Sequence, residues 1–312
     1  DGSTGCGLIW ESMNFAGMGQ FRNLWQPPFD RNPPVLFCFT NNFYAMGGQT
    51  RGETMAWDRL SRIGAGMSPA QLHAETVDGS NPLAVADAVA RKAEVLRAGE
   101  GPALLDIECY RYSGHSTTDT NAYRSRDEMK AWQAHDPITR FRDRLVDGGV
   151  ITAGEADEMV EAASVQIEAV TRVVVDRQLA PAVDLEANPT IIGDMTFNNE
   201  AIELGGRALD LLAEPAETGA VKSIMRKARS GIAEDGSQLS PMRAVTLRDA
   251  LSEAILHHLI HDESLIAYGE ECRDWGGAFG VHRGFADIIP YHRLFNSPIS
   301  EAAIVSTAVG YA

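Results

Sequence analysis

The sequence has 312 residues, with 27 Lys or Arg against 43 Asp or Glu, and a formal net charge of −16. A chain of this length is expected to form about two domains, each able to bury a core. The acidic balance argues against a nucleic-acid-binding surface, because neutralising phosphates requires clustered Lys and Arg. No apolar run approaches the ~18 residues that span a bilayer, so we expect neither a membrane span nor a signal peptide.

The four cysteines, Cys6, Cys38, Cys109 and Cys272, lie far apart in the sequence. They form no C-x-x-C pair and have no His at ligand spacing, which argues against a zinc site. We therefore expect reduced, buried thiols in a protein of the cytoplasm.

The first part of the chain alternates between helix and strand patterns. The predicted elements are a helix at 8–18, a strand at 35–40, a helix near 53–63, a turn at 77–79, a helix at 82–98 and a strand at 103–109. The first strand, at 35–40, is a continuous apolar run, which is typical of a parallel strand covered on both faces. Strands that alternate with helices in this way predict an α/β fold with a doubly wound parallel sheet.

The rest of the chain is predicted to be mainly helical, with an irregular segment at 181–243. Thr152 and Glu155 form a capping box that begins a long helix, and an apolar stripe on that helix is expected to be buried. The stripe consists of Val160, Ala163, Ile167, Val170 and Val174. After the irregular segment we expect a helix at 246–261, a short strand at 265–268 and a last helix that Ser300 caps.

Polar residues stand where predicted strands end. Asp1-Gly2 opens one strand-to-helix turn, and Asn41-Asn42 follows the next strand. The carboxyl ends of parallel strands meet at one edge of a sheet, where doubly wound folds bind ligands. Carboxylate, amide and carbonyl oxygens suit magnesium, and glycine lets backbone N–H groups approach a phosphate. The alternative is a pair of ordinary turns, because both dipeptides are common there.

The residues around these two pairs resemble the thiamine-diphosphate signature of a known family. The matching positions are Asp1-Gly2-Ser3, Gly5, Glu11, Asn14, Ala16, Asn41-Asn42, Tyr44 and Met46-Gly47. They are similar to the α-type subunit of the decarboxylating component of 2-oxoacid dehydrogenase complexes. The resemblance implies that the Asp1 and Asn42 side chains and the Tyr44 carbonyl bind Mg²⁺, while Gly2 and Ser3 contact the diphosphate through their backbone. It also implies that the sequence is a fragment, with a proline-rich insertion at 19–34.

A second stretch, from Tyr110 to Asp119 with Tyr123-Arg124-Ser125 after it, resembles the loop over the active-site mouth of the same family. The resemblance implies that His115 contacts the cofactor diphosphate or the reacting intermediate, and that Arg124 helps to order the loop. A histidine that follows a strand end among hydroxyl and guanidinium groups also suits phosphate contact and proton transfer. A surface histidine in a polar loop is the alternative.

A third group of residues, at 246–251, 268–271 and 297–301, resembles the start of the β-type subunit. The resemblance implies that Glu301 hydrogen-bonds a ring nitrogen of the cofactor's aminopyrimidine, which activates the thiazolium carbon. It places Glu270 near the same pocket. Taken alone, Glu301 would be a carboxylate favoured by a helix N-terminus. His257 and His261, one helical turn apart, are interpreted as surface residues with no third metal ligand.

The α-then-β order implies a fused subunit with a thiamine-diphosphate-binding fold. Residues 1–180 would be part of the diphosphate- and magnesium-binding domain, 181–243 a linker, and 244–312 part of the pyrimidine-binding domain. The implied function is oxidative decarboxylation of a 2-oxoacid, with acyl transfer to the lipoyl domain of a dihydrolipoyl acyltransferase by a cytoplasmic homodimer of fused chains. The alternatives are an acetoin dehydrogenase and a catalytically silent cofactor-binding or assembly module. The isolated chain is expected to bind thiamine diphosphate weakly and to be inactive.

Overall fold

A computed structural model describes residues 1–68, 70–191, 210–226, 231–239 and 245–311. Within these residues the helices are α1 (Gly7–Ala16), α2 (Gln20–Asn23), α3 (Leu60–Met67), α4 (Pro82–Arg97), α5 (Arg126–Gln133), α6 (Pro137–Asp147), α7 (Ala153–Val175), α8 (Gly219–Arg226), α9 (Leu247–His261) and α10 (Glu301–Tyr311). The strands are β1 (Leu36–Asn41), β2 (Glu75–Asp78), β3 (Ala103–Glu108), β4 (Ala267–Glu270) and β5 (Leu294–Ser297).

The strands form two parallel sheets, which confirms the predicted α/β class. The first has the order β1-β3-β2 and ends in register at Asn41, Glu108 and Asp78. The second pairs β4 with β5 and ends at Glu270 opposite Ser297. The loop that follows each strand therefore begins at the carboxyl edge of its sheet, and the candidate residues lie at these edges.

β2 is a strand that the sequence analysis misses, because its residues before the predicted turn are polar or β-branched and form no apolar run. Its Thr76 hydroxyl lies 2.6 Å from the Ser61 hydroxyl on α3. Pairing with β3 supplies the backbone hydrogen bonds of β2. The turn predicted at 77–79 therefore forms later, because Val77 and Asp78 belong to β2. The turn begins at Gly79, whose amide donates to the Glu108 carbonyl at 2.7 Å.

α3 begins later than predicted because a buried carboxylate fixes its first turn. Asp106, in the middle of β3, is completely buried and accepts hydrogen bonds from the amides of Leu60 (3.1 Å) and Ser61 (3.3 Å). It also accepts one from the Asn41 side chain at 2.9 Å. A buried carboxylate requires such donors, so Asp106 joins α3 to the end of β1.

The first and second sheets belong to units that pack against each other through an aromatic cluster. We define this cluster as Phe15, Phe21, Trp25, Tyr268 and Phe295. The Tyr268 and Phe295 rings stack with centroids 5.1 Å apart, and Phe15 lies 5.8 Å from Tyr268. The cluster buries apolar side chains from both ends of the sequence, so the two units form a joint core.

The segment predicted to be a linker contributes to the second unit where it is described. Ala220, Val221 and Ile224 of α8 pack against the core that includes Leu259 and Phe285. Asp210 lies 2.6 Å from the buried His292 imidazole. The domain boundaries at 180 and 243 stay a prediction.

The capping box at Thr152 and Glu155 is confirmed, but the prediction that the α7 stripe is buried is wrong within this chain. Val160 is 57% exposed, Ile167 68% and Val174 65%. Ala156 is the buried residue of α7, near the α6 contact made by Arg142 and Asp157. No described part of the chain covers the rest of this face.

The prediction of buried cysteines is also wrong for most of them. All four are free thiols, but Cys6 and Cys38 are exposed, Cys109 is half-buried and Cys272 alone is buried. Cys38 is exposed because it alternates with the buried Phe39 along β1, an edge strand. Burial raises the pKa of the Cys272 thiol. Among the described helices, none is long and apolar enough to cross a membrane.

Candidate active site

Asp1 lies beside Asn42 at the carboxyl end of β1. The Asp1 backbone nitrogen donates to the Thr40 carbonyl at 3.0 Å, and Asp1 Oδ1 accepts from the Asn42 amide at 3.3 Å. Asp1 Oδ2 accepts from the hydroxyl of Thr50 at 2.6 Å. Thr50 is completely buried, so it fixes the orientation of the Asp1 carboxylate. Sequence reasoning missed Thr50, because nothing in its local sequence marks it.

A tight turn folds Asn42 back towards Tyr44. Asn42 Oδ1 accepts from the Tyr44 amide at 3.0 Å, and the intervening Phe43 has a φ of 66°, which is rare for a bulky residue. Gly2 lies close to this turn: a Cβ on Gly2 would stand 3.9 Å from the Tyr44 carbonyl oxygen. Larger side chains at Gly2 would therefore crowd the space between the two loops.

Asp1, Asn42 and Tyr44 thus form an oxygen-rich group on two adjoining loops. A carboxylate, an amide oxygen and a backbone carbonyl are the ligand types that Mg²⁺ prefers. Among the described residues there is no cluster of three His, Cys, Asp or Glu that could hold a metal. Oxygen donors of these types suit a hard cation such as Mg²⁺ better than a transition metal.

The side chain of Tyr44 connects this group to the loop that follows β3. The Tyr44 hydroxyl donates to Glu128 Oε1, and the Tyr110 hydroxyl donates to the same oxygen at 3.1 Å. Burial and the neighbouring Glu128 carboxylate raise the pKa of Tyr44 well above its ordinary value. Tyr44 therefore stays a protonated donor. Glu128 is a further residue that the sequence did not identify, because it resembles any acidic residue in a first helical turn.

Two guanidinium groups stack on the same tyrosines and anchor the loop. The buried Arg124 lies 5.4 Å from the Tyr44 ring centroid, and Arg111 lies 5.3 Å from it. Arg124 donates to the carbonyls of Arg111 and Ser113, the latter at 2.9 Å. Arg111 donates to the Ala45 carbonyl at 2.7 Å, which joins the loop to the turn after Tyr44.

His115 stands on this loop with an exposed imidazole. Its backbone amide donates to Asp119 Oδ2 at 2.7 Å, and the Tyr123 hydroxyl donates to the same oxygen at 2.7 Å. These two bonds and one from the Asn121 amide lower the pKa of Asp119 to about 2. Since the depressed pKa keeps Asp119 ionised, its hydrogen bonds persist at neutral pH and are lost only as the pH falls towards 2.

We expect Arg124→Lys to loosen the loop. Lysine cannot reproduce the planar fork that bonds two carbonyls and stacks on tyrosine rings. Limited proteolysis should therefore cut the variant faster between residues 111 and 123. Arg126→Lys, at an exposed position two residues along, is the matched control and should be cut at the wild-type rate. Equal cleavage of all three proteins would contradict the anchoring role of Arg124.

Glu270 and Glu301 lie at the carboxyl edge of the second sheet. Glu270 is the half-buried last residue of β4, and Glu301 is the exposed first residue of α10. The Glu301 side chain forms no hydrogen bond or ion pair with another described residue, so its carboxylate is free to bind a ligand. No hydrogen bond or ion pair among the described residues joins it to Asp1, Asn42 or His115. Instead, α1, which follows the Asp1 turn, packs against α10.

The prediction that Ser300 caps α10 is wrong. The Ser300 hydroxyl donates to the Pro298 carbonyl at 3.2 Å, and the amide of Ala303 donates to the Glu11 carboxylate at 3.1 Å. Ser300 still occupies the position before the helix, since its carbonyl accepts from the Ile304 amide at 2.9 Å. A residue from α1 therefore takes the place of the local cap.

The paired histidines of α9 are exposed, as expected. His261 Nδ1 lies 2.7 Å from the His257 carbonyl of its own helix. Their rings are 4.3 Å apart, and no third ligand stands with them in the described part of the chain.

The parallel sheets define an α/β protein of the doubly wound type, and the oxygen-rich group lies at the carboxyl edge of the first sheet. Residues 1–182, more than half of the chain, match the sequence model of the dehydrogenase E1 component family. The chain therefore belongs to the dehydrogenase E1 component family, whose members are thiamine-diphosphate-dependent components of 2-oxoacid dehydrogenases. The predicted resemblance to the α-type subunit is confirmed.

Curated relatives are pyruvate dehydrogenase E1 α subunits. The mitochondrial type I subunit of Ascaris suum is 34% identical over 174 residues, covering 55% of this chain and 39% of the relative. The subunit of Rhizobium meliloti is 34% identical over 160 residues, covering 51% and 41%. That of Zymomonas mobilis is 36% identical over 151 residues, covering 48% and 38%. The chain thus spans about two fifths of the length of these relatives.

Proposed function

We propose that this chain forms part of an enzyme that oxidatively decarboxylates a 2-oxoacid, using thiamine diphosphate and Mg²⁺, and transfers the acyl group to the lipoyl domain of a dihydrolipoyl acyltransferase. The observation that carries the proposal is the oxygen-rich group of Asp1, Asn42 and Tyr44 within a segment that matches the dehydrogenase E1 family. The names of the relatives favour pyruvate as the 2-oxoacid.

The proposed cofactor-binding residues have separate tasks. Asp1, Asn42 and the Tyr44 carbonyl hold Mg²⁺, and the backbone of Gly2 and Ser3 binds the diphosphate. Thiamine diphosphate, when bound, supplies a nucleophilic carbon and accepts the electron pair left by decarboxylation. Thr50 would fix the orientation of the Asp1 carboxylate as a metal ligand, since its hydroxyl donates to Asp1 Oδ2 at 2.6 Å.

The proposed catalytic residues take part in proton transfer. Glu301 accepts a hydrogen bond from a ring nitrogen of the aminopyrimidine and holds the proton there. His115, on the anchored loop, contacts the diphosphate or the substrate with its exposed imidazole and serves there as a proton-transfer group. Glu270 lies near the same pocket at the end of β4 and contributes a second carboxylate.

The organisation of the whole protein is proposed on the same basis. Residues 1–180 supply the diphosphate-binding side and residues 244–312 the pyrimidine-binding side of a fused chain that works as a cytoplasmic homodimer. The joint aromatic cluster supports this arrangement, because it packs the two regions against each other.

A substrate panel tests the proposal. The protein in its full-length natural form should reduce an artificial electron acceptor when given a 2-oxoacid, thiamine diphosphate and Mg²⁺, with pyruvate preferred over branched-chain 2-oxoacids. Omitting Mg²⁺ should remove the activity. Turnover of acetoin alone would instead assign an acetoin dehydrogenase, and cofactor binding without turnover of any of these compounds would assign a silent binding module.

A further inference from the structure

The first turn of α10 depends on a distant residue for its hydrogen bonding. A helix leaves its first backbone amides without partners, and the residue before the helix usually supplies an acceptor. Here that residue is Ser300, which is 2% exposed and directs its hydroxyl to the Pro298 carbonyl. The Ala303 amide instead donates to Glu11 Oε2 at 3.1 Å, although the two residues are 292 positions apart.

The carboxylate of Glu11 is well suited to this position. A helix N-terminus carries partial positive charge and favours an anionic acceptor. Glu11 lies in the middle of α1, so its side chain is carried by a helix rather than by a mobile loop. Glu301 is the first residue of α10, two positions before the bonded amide. The contact therefore fixes the turn of backbone from which the Glu301 side chain extends.

Further contacts hold α10 and the strand that precedes it in place. Ala303 is completely buried and packs with Phe15 of α1. The Tyr268 hydroxyl donates to the Ile304 carbonyl at 3.1 Å, and Gln20 Nε2 donates to the Asn296 carbonyl at 2.5 Å. The backbone on both sides of Glu301 is thus bonded to residues of α1, α2 or the aromatic cluster.

The other end of α1 begins directly after the turn that carries Asp1. Asp1 is hydrogen-bonded to Asn42, and residues 2–5 form the 3₁₀ turn that leads into α1. α1 is therefore a rigid connection between the oxygen-rich group and the first turn of α10, and all of these residues belong to one chain.

We propose that Glu11 is a positioning residue that caps α10 and holds Glu301 at a cofactor site completed within a single chain. The inference rests on the proposed function, since it concerns the approach of Glu301 to the pyrimidine side of the cofactor. Glu11 touches neither the cofactor nor the substrate in this proposal, and it acts through the α10 backbone.

Hydrogen exchange of residues 301–305 tests the capping contact without cofactor. Glu11→Ala should accelerate amide exchange there by about 10-fold, as expected for the loss of a helix cap. Glu11→Gln keeps an acceptor oxygen and should retain most of the protection. Ser300→Ala is the matched control and should exchange like the wild type, because the Ser300 hydroxyl does not bond the helix amides. Unchanged exchange in Glu11→Ala would overturn the proposal.

Cofactor binding tests the consequence for Glu301. Tryptophan fluorescence, recorded while thiamine diphosphate is added with Mg²⁺, should show weaker binding to Glu11→Ala by about 10-fold and near wild-type binding to Glu11→Gln. If Glu11→Ala loses exchange protection but binds the cofactor as the wild type does, Glu11 is a structural cap only, and the positioning role is overturned. If the wild type binds no thiamine diphosphate while the exchange effect is present, the proposed function fails and the cap stands.

Dilution tests whether the contact lies within one chain. Protection of residues 301–305 in the wild type should be independent of protein concentration. Protection that falls on dilution would assign Glu11 to a second copy and overturn the single-chain site.

Discussion

Glu301→Gln is expected to lower 2-oxoacid turnover by about 10²–10⁴-fold while leaving thiamine diphosphate affinity nearly unchanged. The glutamine keeps the size and one acceptor oxygen of the side chain, so the cofactor can still bind. It lacks the negative charge that keeps a proton on the aminopyrimidine nitrogen, so the cofactor is no longer activated. Steady-state rates with an artificial electron acceptor and equilibrium titration of the cofactor measure the two effects separately.

Glu161→Gln is the matched control for this experiment, since it removes an exposed carboxylate on α7, away from both sheets. It should turn over substrate at the wild-type rate. Wild-type turnover by Glu301→Gln would remove Glu301 from the mechanism. A loss of cofactor affinity equal to the loss of turnover would show that Glu301 binds the cofactor without activating it.

Asp1→Ala is expected to abolish the magnesium-dependent part of thiamine diphosphate binding, and Thr50→Ala to weaken it by about 10–100-fold. Asp1 is the only carboxylate in the proposed ligand set. Thr50 orients it through a hydrogen bond of 2.6 Å from a completely buried position. Partners that orient metal ligands typically have effects of this size. Titration of the cofactor at several Mg²⁺ concentrations measures both changes.

Two threonine variants control the second prediction. Thr50→Ser keeps the hydroxyl and should bind the cofactor nearly as the wild type does. Thr54→Ala removes a neighbouring hydroxyl that bonds the Gln49 carbonyl rather than Asp1, and should be without effect. Magnesium-dependent binding that survives in Asp1→Ala would show that the oxygen-rich group is not the metal site.

The candidate residues lie on loops whose shape depends on residues that no motif marks. Asn42 and Tyr44 could be selected from the sequence because they follow the end of β1, and Asp1 because it opens a stretch that resembles the thiamine-diphosphate signature. The sequence did not allow us to select Thr50, Glu128 or Asp106. Each is a common residue type, and its role depends on which group the folded chain places within hydrogen-bond distance. Asp106 shows the point most clearly, since its buried carboxylate bonds two amides of α3 and the side chain of Asn41.

Errors in the sequence analysis have the same physical origin. The α7 stripe has the spacing of a buried helix face, but burial requires a partner surface that the described chain does not place there. The helix expected near residue 53 forms from Leu60 because Asp106 bonds the first amides of α3. Ser300 has the residue type of a helix cap, yet its hydroxyl donates to the Pro298 carbonyl. The Ala303 amide donates to Glu11 instead.

The sequence by itself determined the α/β class, the parallel strands that follow its apolar runs, the capping box of α7 and the placement of Asn42 after the end of β1. These features follow from interactions between residues close in the chain, or from apolar patterns that indicate the same secondary structure in any protein. Only the tertiary structure decided that Thr50 orients Asp1, that tyrosines and arginines anchor the His115 loop, and that Glu11 caps the helix carrying Glu301. Donors at helix ends and buried carboxylates bond whichever partner the packed core brings within about 3 Å, and that partner can stand anywhere in the sequence.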